Sequence, residues 1–145
     1  AQAINYHEDD RAQRLLNIFD IPTGQINVSH VSSTDHIVAW HKHNVQTDYW
    51  ACLKGAFKVG LAYPTGKKTV NETGEVSFNN VDIRWEYLSE RNPSMIKIPP
   101  GVYHGYKALQ PESIMLYYLT EKYNTEDEFS VPPGYFKEDW SITNK

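Results

Sequence analysis

The chain has 145 residues, 40% of them hydrophobic and 13% aromatic, and a formal net charge of -4; this suffices for one buried core and is too apolar for disorder. Its basic residues are scattered rather than gathered into a stripe, which argues against a phosphate-tracking surface and so against nucleic acid as a partner. The single Cys52 forbids an internal disulfide, AQAINYHEDD lacks a basic-then-apolar leader, and the longest apolar run, IMLYYL at 114–119, is far too short to span a bilayer. The expectation is a cytoplasmic chain with no membrane partner.

Taken in order, EDDRAQRLLNIF at 8–19 offers an acidic start followed by Leu15, Leu16, Ile18 and Phe19, a pattern that fits a short helix or a first strand equally well. Runs rich in Val, Ile, Tyr, Phe and Trp then recur between turn residues. They predict strands at 25–33, 36–43, 48–54, 56–63, 82–89, 94–98, 102–109 and 113–120, with 64–81 as a polar hairpin loop. Eight short strands in such a length imply an all-β fold in which antiparallel sheets hide their edges by closing or stacking.

Within this pattern HKHNVQTDYWACLKG at 41–55 is the stretch with chemistry in it. Side chains two apart on a strand share a face, so His41 and His43 point one way, and Asp48, Trp50 and Cys52 share a face on the next strand. By the same alternation Trp40, Tyr49 and Phe57 are expected outside the barrel or in a subunit interface. IPPGVYHGY places His104 just after a Pro-Pro-Gly turn, on a further strand able to face the same interior. Cys52 reads as a small buried apolar residue, since no basic neighbour activates it. His7, His30 and His36 show no pattern and read as structural or surface residues.

The histidine pair, the acid after four intervening residues, Gly55 after six more, and the later Pro99, Gly101 and His104 resemble the two-motif signature of the cupin superfamily. Within it the chain is most similar to the RmlC-like dTDP-4-dehydrorhamnose 3,5-epimerase family. VAWHKHNVQTDYWACLKG carries counterparts of the family's histidine strand, glutamine and glycine. LSERNPSMIKIPPGVYHGY resembles its run into the Pro-Pro-Gly turn, MLYYLTEKYNTEDE its tyrosine strand and acidic segment, and EDDR at 8–11 its opening.

The resemblance implies that 1–145 is a single cupin domain, an RmlC-like jelly-roll barrel of antiparallel strands with short peripheral helices, acting as a homodimer. It implies a nucleotide-sugar substrate, an NDP-4-keto-6-deoxy sugar in deoxysugar or surface-polysaccharide synthesis, and no cofactor. A base would remove the proton next to the keto group, and a tyrosine would return one to the opposite face of the enolate. Carried over residue by residue, the base falls on His41, the acid on Tyr117 and the second site histidine on His104. Gln46, Trp50 and Tyr123 would line the pocket and Arg11 would meet a phosphate. A free histidine titrates near neutrality and a buried phenol keeps its proton, so the chemistry suits both.

The chain also departs from that family. Asp48 stands where the family has a cavity lysine able to stabilise the enolate oxygen, Val38 where it has a phosphate-binding arginine, and EFSVPPGYFKEDW lacks the aspartate that orients the base. The His41–His43 pair resembles instead the sugar 3,4-ketoisomerases, which shuttle protons between adjacent carbons. Two further readings stay open: a divalent metal ion held by His41, His43, Asp48 and His104, and a sugar-binding cupin without catalysis.

Overall fold

The structure, a computed structural model, describes residues 1–74 and 76–142. Two antiparallel sheets face each other. The first runs in the order β1 (Asn5–Glu8), β2 (Gln13–Leu16), β3 (Gln25–Val31), β10 (Ser113–Leu119), β5 (Asp48–Lys54) and β8 (Met95–Ile98). The second runs β11 (Phe129–Ser130), β4 (Ile37–Lys42), β9 (Tyr103–Ala108), β6 (Ala56–Val70) and β7 (Val76–Ser89). Consecutive strands cross from one sheet to the other at β3 to β4, β4 to β5 and β5 to β6, the jelly-roll arrangement, with the two sheets left unjoined at their edges.

The segment at 8–19 resolves as strand, with the turn around Asp9 bringing β1 back against β2. The predicted loop at 64–81 is instead the outer part of a long ribbon: β6 pairs with β7 from Ala56↔Ser89 to Pro64↔Val81 and, after a register shift between Thr65 and Lys68, on to Val70↔Val76. On the β6 side of the ribbon, residues 65–70 are exposed on both faces, so their polar composition reflects solvation rather than a loop. The expected peripheral helices reduce, among the described residues, to one 3-10 turn at Thr125–Asp127 capped by Asn124. No helix there is long and apolar enough to cross a membrane.

Two cores result from the alternation. The space between the sheets holds Trp50, Cys52, Phe57, Val59, Leu61, Leu88, Ile98 and Met115. Phe57 is therefore not outside the barrel as its sequence position suggested; it is wholly buried inside. The reason is the turn at Gly55, whose φ of +78° restarts the alternation and sends Phe57, Val59 and Leu61 inward together. A side chain at Gly55 would also collide with Ser113.

On the outer face of the five-stranded sheet a second cluster forms around Trp40, Ala62 and Trp140. Trp40 does lie outside the sheets, yet it has no exposed surface, because the C-terminal segment folds back over it. Val131 exchanges backbone hydrogen bonds with Trp40, and Phe136 and Trp140 pack on its ring at centroid distances of 5.5 and 5.3 Å. Gly60 leaves room for this layer: a Cβ there would sit 2.6 Å from the Trp40 ring and 2.9 Å from Trp85. Tyr49 lies on the outer face of the other sheet, half-buried against Tyr118.

A candidate active site between the sheets

One end of the inter-sheet space is not filled. It is a cavity of about 750 Å³ open to solvent, within the range that holds a small organic ligand. A fold that packs solidly at one end and stays hollow at the other needs polar residues where the apolar ones stop. Strand β3 supplies them: its residues alternate buried and half-buried, and the buried set is Gln25, Asn27, Ser29 and Val31.

A register shift delivers His41 to the cavity. Strand β4 pairs Val38 with Tyr106 and then His41 with His104, one residue more on β4 than on β9. Such a bulge re-aims the side chains beyond it. Cross-strand partners share a face, so Val38 and His41 both reach the interior while Trp40 points out. Beyond His41 the chain turns through His43 to Gln46. The Asp127 carboxylate holds that turn, accepting from the backbone N–H groups of Asn44, Val45 and Gln46 at 2.7–3.2 Å.

The residues expected at the site all line this one cavity: His41, His43, His104 and Tyr117 as candidate catalytic groups, and Arg11, Gln46, Asp48, Trp50 and Tyr123 as candidate contacts. The placements differ in kind. His104 and Asp48 lie at the floor, both nearly fully buried. Gln46 Nε2 donates to Asp48 Oδ1 at 2.7 Å, and Trp50 Nε1 donates to Oδ2 at 3.2 Å, so both carboxylate oxygens are engaged. Tyr123 stands at the rim, 69% exposed. Arg11 is held by Asp9 at 2.7 Å. His7, which carried no pattern in the sequence, also reaches the mouth of the cavity, 3.6 Å from Asp9; His30 pairs with Glu112 away from it.

Burial lowers the pKa of His41 from its ordinary 6.5, against the raising influence of Glu128. His41 is therefore an unprotonated imidazole at neutral pH, the form a base requires. Burial also lowers His104, with the Asp48 charge opposing. Burial raises Tyr117 above 10, and the hydrogen bond from Ser29 works against that shift. Ser29 Oγ donates to the Tyr117 phenol oxygen at 3.0 Å, which leaves the phenol proton free for another acceptor.

Among the groups that escaped the sequence reading, Tyr106, Arg14 and Glu128 line the cavity, and Asp127 lies behind its histidine wall. Tyr106 stands beside Tyr117, its pKa raised by burial and drawn back by Arg14 and Ser29. It was readable in principle, since it lies two residues from His104 and shares its face. Arg14 bonds to Asp9 at 3.1 Å; nothing in the sequence distinguishes it from the other arginines. Glu128 lies near both His41 and the Tyr123 phenol, whose pKa it raises. It brings a carboxylate to the base although the usual aspartate segment is missing. Asp127 accepts from His43 Nδ1 through its backbone carbonyl at 2.7 Å. The last two lie in an acidic stretch that sequence alone presents as a solvated turn.

The chain is similar to several known proteins. A Haloferax volcanii protein described as a probable low-salt glycan biosynthesis epimerase is 32% identical over 91 residues, covering 61% of this chain and 53% of the relative. The Bacillus subtilis spore coat polysaccharide biosynthesis protein SpsL is 34% identical over 100 residues, 66% of this chain and 60% of the relative. The matched stretch thus spans just over half the length of these curated relatives. Among solved structures, a dTDP-4-dehydrorhamnose 3,5-epimerase from Bacillus anthracis with TDP and PPi bound superposes with a TM-score of 0.65 at 19% identity, over 98% of this chain and 93% of that one. The capsular polysaccharide assembling protein CapF from Staphylococcus aureus gives 0.72 at 16% identity, over 90% of this chain and 32% of that one; both likenesses bear on the fold. The profile of one family, described as dTDP-4-dehydrorhamnose 3,5-epimerase, matches residues 4–140, and the chain belongs to that family.

Proposed function

We propose that the protein is a nucleotide-sugar epimerase or isomerase that acts on an NDP-4-keto-6-deoxy sugar in deoxysugar or surface-polysaccharide synthesis. The supporting observation is the pair His41 and Tyr117 opening into one cavity, the first held unprotonated by burial and the second held protonated by it. A proton next to a ketone is acidic because the resulting enolate spreads its charge onto oxygen. His41 takes that proton, and Tyr117 delivers one to the opposite face of the carbon, which inverts it. Gln46, Trp50 and Tyr123 contact the sugar, and Arg11 at the mouth meets the diphosphate. His43 and His104 complete the floor. The proton transfers draw on these side chains alone, and the chain works as a homodimer of single cupin domains in the cytoplasm; light scattering and cell fractionation check those two points.

The test is solvent exchange. Incubated in deuterium oxide with dTDP- or GDP-4-keto-6-deoxy sugars, the protein incorporates deuterium at carbon 3 or 5, read by NMR, and His41→Ala abolishes incorporation. A folded wild-type protein that binds such sugars without any exchange would sink the catalytic reading and leave a sugar-binding one.

A further inference from the structure

We infer that the Tyr106 phenol, with the Arg14 guanidinium behind it, forms an oxyanion site that holds the enolate oxygen by hydrogen bonding. The inference rests on the function proposed above and answers a deficit in it. When His41 takes the carbon-bound proton, the C–H electron pair becomes the C=C bond and the carbonyl π pair moves onto oxygen. That oxygen needs a donor or a positive charge within reach. Asp48, a carboxylate, stands where the family has a lysine for this purpose.

Donors around the histidines are largely committed. Gln46 Nε2 and Trp50 Nε1 both donate to Asp48. His43 Nδ1 and His104 Nδ1 face the carbonyls of Asp127 and Val102 at 2.7 and 3.2 Å. A carbonyl only accepts, so a neutral ring carries its proton there and its other nitrogen offers a lone pair. Arg11 turns Nε and Nη2 onto Asp9. Ser29 has one hydroxyl proton and gives it to Tyr117. The phenols of Tyr117 and Tyr106 keep theirs, and the first is spent on carbon.

Tyr106 is fixed in the way an oxyanion donor must be. Its ring is clamped edge-on by Trp50 and Phe57, at centroid distances of 5.6 and 5.5 Å and interplanar angles of 86° and 90°, so no reorganisation is needed when charge develops. The residue packs in the core, yet it also lines the cavity: ring in the apolar part, hydroxyl at the hollow, as tyrosines at such borders stand. Its depth also fits. Tyr106 rises from β9 in the sheet that carries His41, whereas Arg14 and Ser29, which act on its phenol, stand on β2 and β3 of the opposite sheet. The phenol therefore reaches the middle of the space between the sheets. A keto oxygen lies in the plane of its carbon, between the face the base attacks and the face the acid attacks, and so meets a donor at that depth. The Arg14 side chain is 12% exposed and binds Asp9 through Nη1 at 3.1 Å, which leaves other N–H groups of its five for the phenol oxygen. Its permanent charge polarises the phenol O–H toward the substrate.

The experiment reads exchange and binding on the same full-chain variants. Tyr106→Phe keeps the clamped ring and deletes the donor, so deuterium exchange should fall by about 10²–10³-fold with KM for the nucleotide sugar little changed. Arg14→Gln gives a smaller loss, and Arg14→Lys recovers part of it because a charge remains. A hydroxyl with only a structural role would lower the melting temperature and leave exchange per folded molecule intact. The second readout is titration with 4-nitrophenolate, whose oxygen stands in for that of the enolate and whose absorption moves to shorter wavelength when that oxygen accepts a hydrogen bond. The wild type should bind it saturably with that shift, and Tyr106→Phe more weakly by about tenfold or more. Wild-type exchange that survives in Tyr106→Phe overturns the inference and leaves the epimerase reading standing. A loss in Tyr106→Phe with none in Tyr117→Phe makes Tyr106 the acid and overturns it as well. If the wild type shows no exchange, the epimerase reading falls and the phenolate decides alone: binding that needs Tyr106 keeps the oxyanion site, and binding that is absent or indifferent to Tyr106 removes it.

Discussion

The two faces of the five-stranded sheet are both rich in rings and do opposite things with them. On the outer face Trp40, Trp85 and Trp140 meet edge to face or tilted, with Trp85 and Trp140 centroids 4.8 Å apart, and the C-terminal segment seals Trp40 from water while Trp85 stays half-buried at the edge of the cluster. On the inner face, at its open end, His41, His104 and Tyr106 stand around a cavity wide enough for a sugar. Neighbouring residues on a single strand, Trp40 and His41, serve the two faces. Aromatic mass on a sheet thus stabilises where it is covered, and it becomes chemistry where packing stops and polar groups set the charge.

The comparison breaks if one set of residues can do the work of the other. The largest effect is expected at His41. Substitution to Ala removes the base and lowers deuterium exchange by about 10²–10⁴-fold, while the melting temperature stays near that of the wild type because the side chain borders open space. An inactive His41→Ala that also melts far lower would mean the cavity wall is part of the core.

Next comes Trp140→Ala on the covered face. It removes a ring that is only 5% exposed and should cost roughly 3–5 kcal/mol of unfolding free energy, read by denaturant titration. Exchange per folded molecule is expected to survive, since no part of that ring reaches the cavity. Tyr117→Phe then sharpens the other side: it keeps the ring and deletes the proton, so exchange or turnover falls by about a hundredfold with little change in stability. A loss absent from Tyr117→Phe but produced by Tyr106→Phe would move the acid to the neighbouring phenol.

How much of this could be read beforehand follows from what alternation can and cannot carry. The faces of Asp48, Trp50 and Cys52 follow from period two alone, and so does the pairing of His104 with the interior. Phe57 was misassigned because the positive φ at Gly55 resets the count, and Val38 was not seen as a cavity residue because the bulge before His41 is invisible in composition. The hollow itself had an unread signal. In QINVSHV the inward set is Gln, Asn, Ser and Val, and a strand that turns amides and a hydroxyl inward cannot border a dry core. Asp127 and Glu128 were beyond reach, since a short turn brings them to the histidines from 80 or more residues away in the chain, and no local pattern encodes that.

The smallest expected effect lies between the two regions, at the cavity mouth. Asp9 accepts from Arg11 at 2.7 Å, from Arg14 at 3.1 Å and from the backbone N–H of Arg11 at 2.9 Å. The hydrogen bond from Arg11 is the main cause holding its carboxyl well below the usual 3.8. A carboxyl depressed in the folded state contributes stability in full above its unfolded pKa and loses it as pH falls through the folded one. The pair is partly solvated, so its worth is under about 1 kcal/mol. Asp9→Asn should therefore be slightly less stable than the wild type at pH 7, and the gap should close as the pH drops below about 4. If Arg11 meets the diphosphate, the same substitution releases it and lowers KM for the nucleotide sugar without changing kcat. An unchanged KM together with a stability gap that persists in acid would assign Asp9 to neither face.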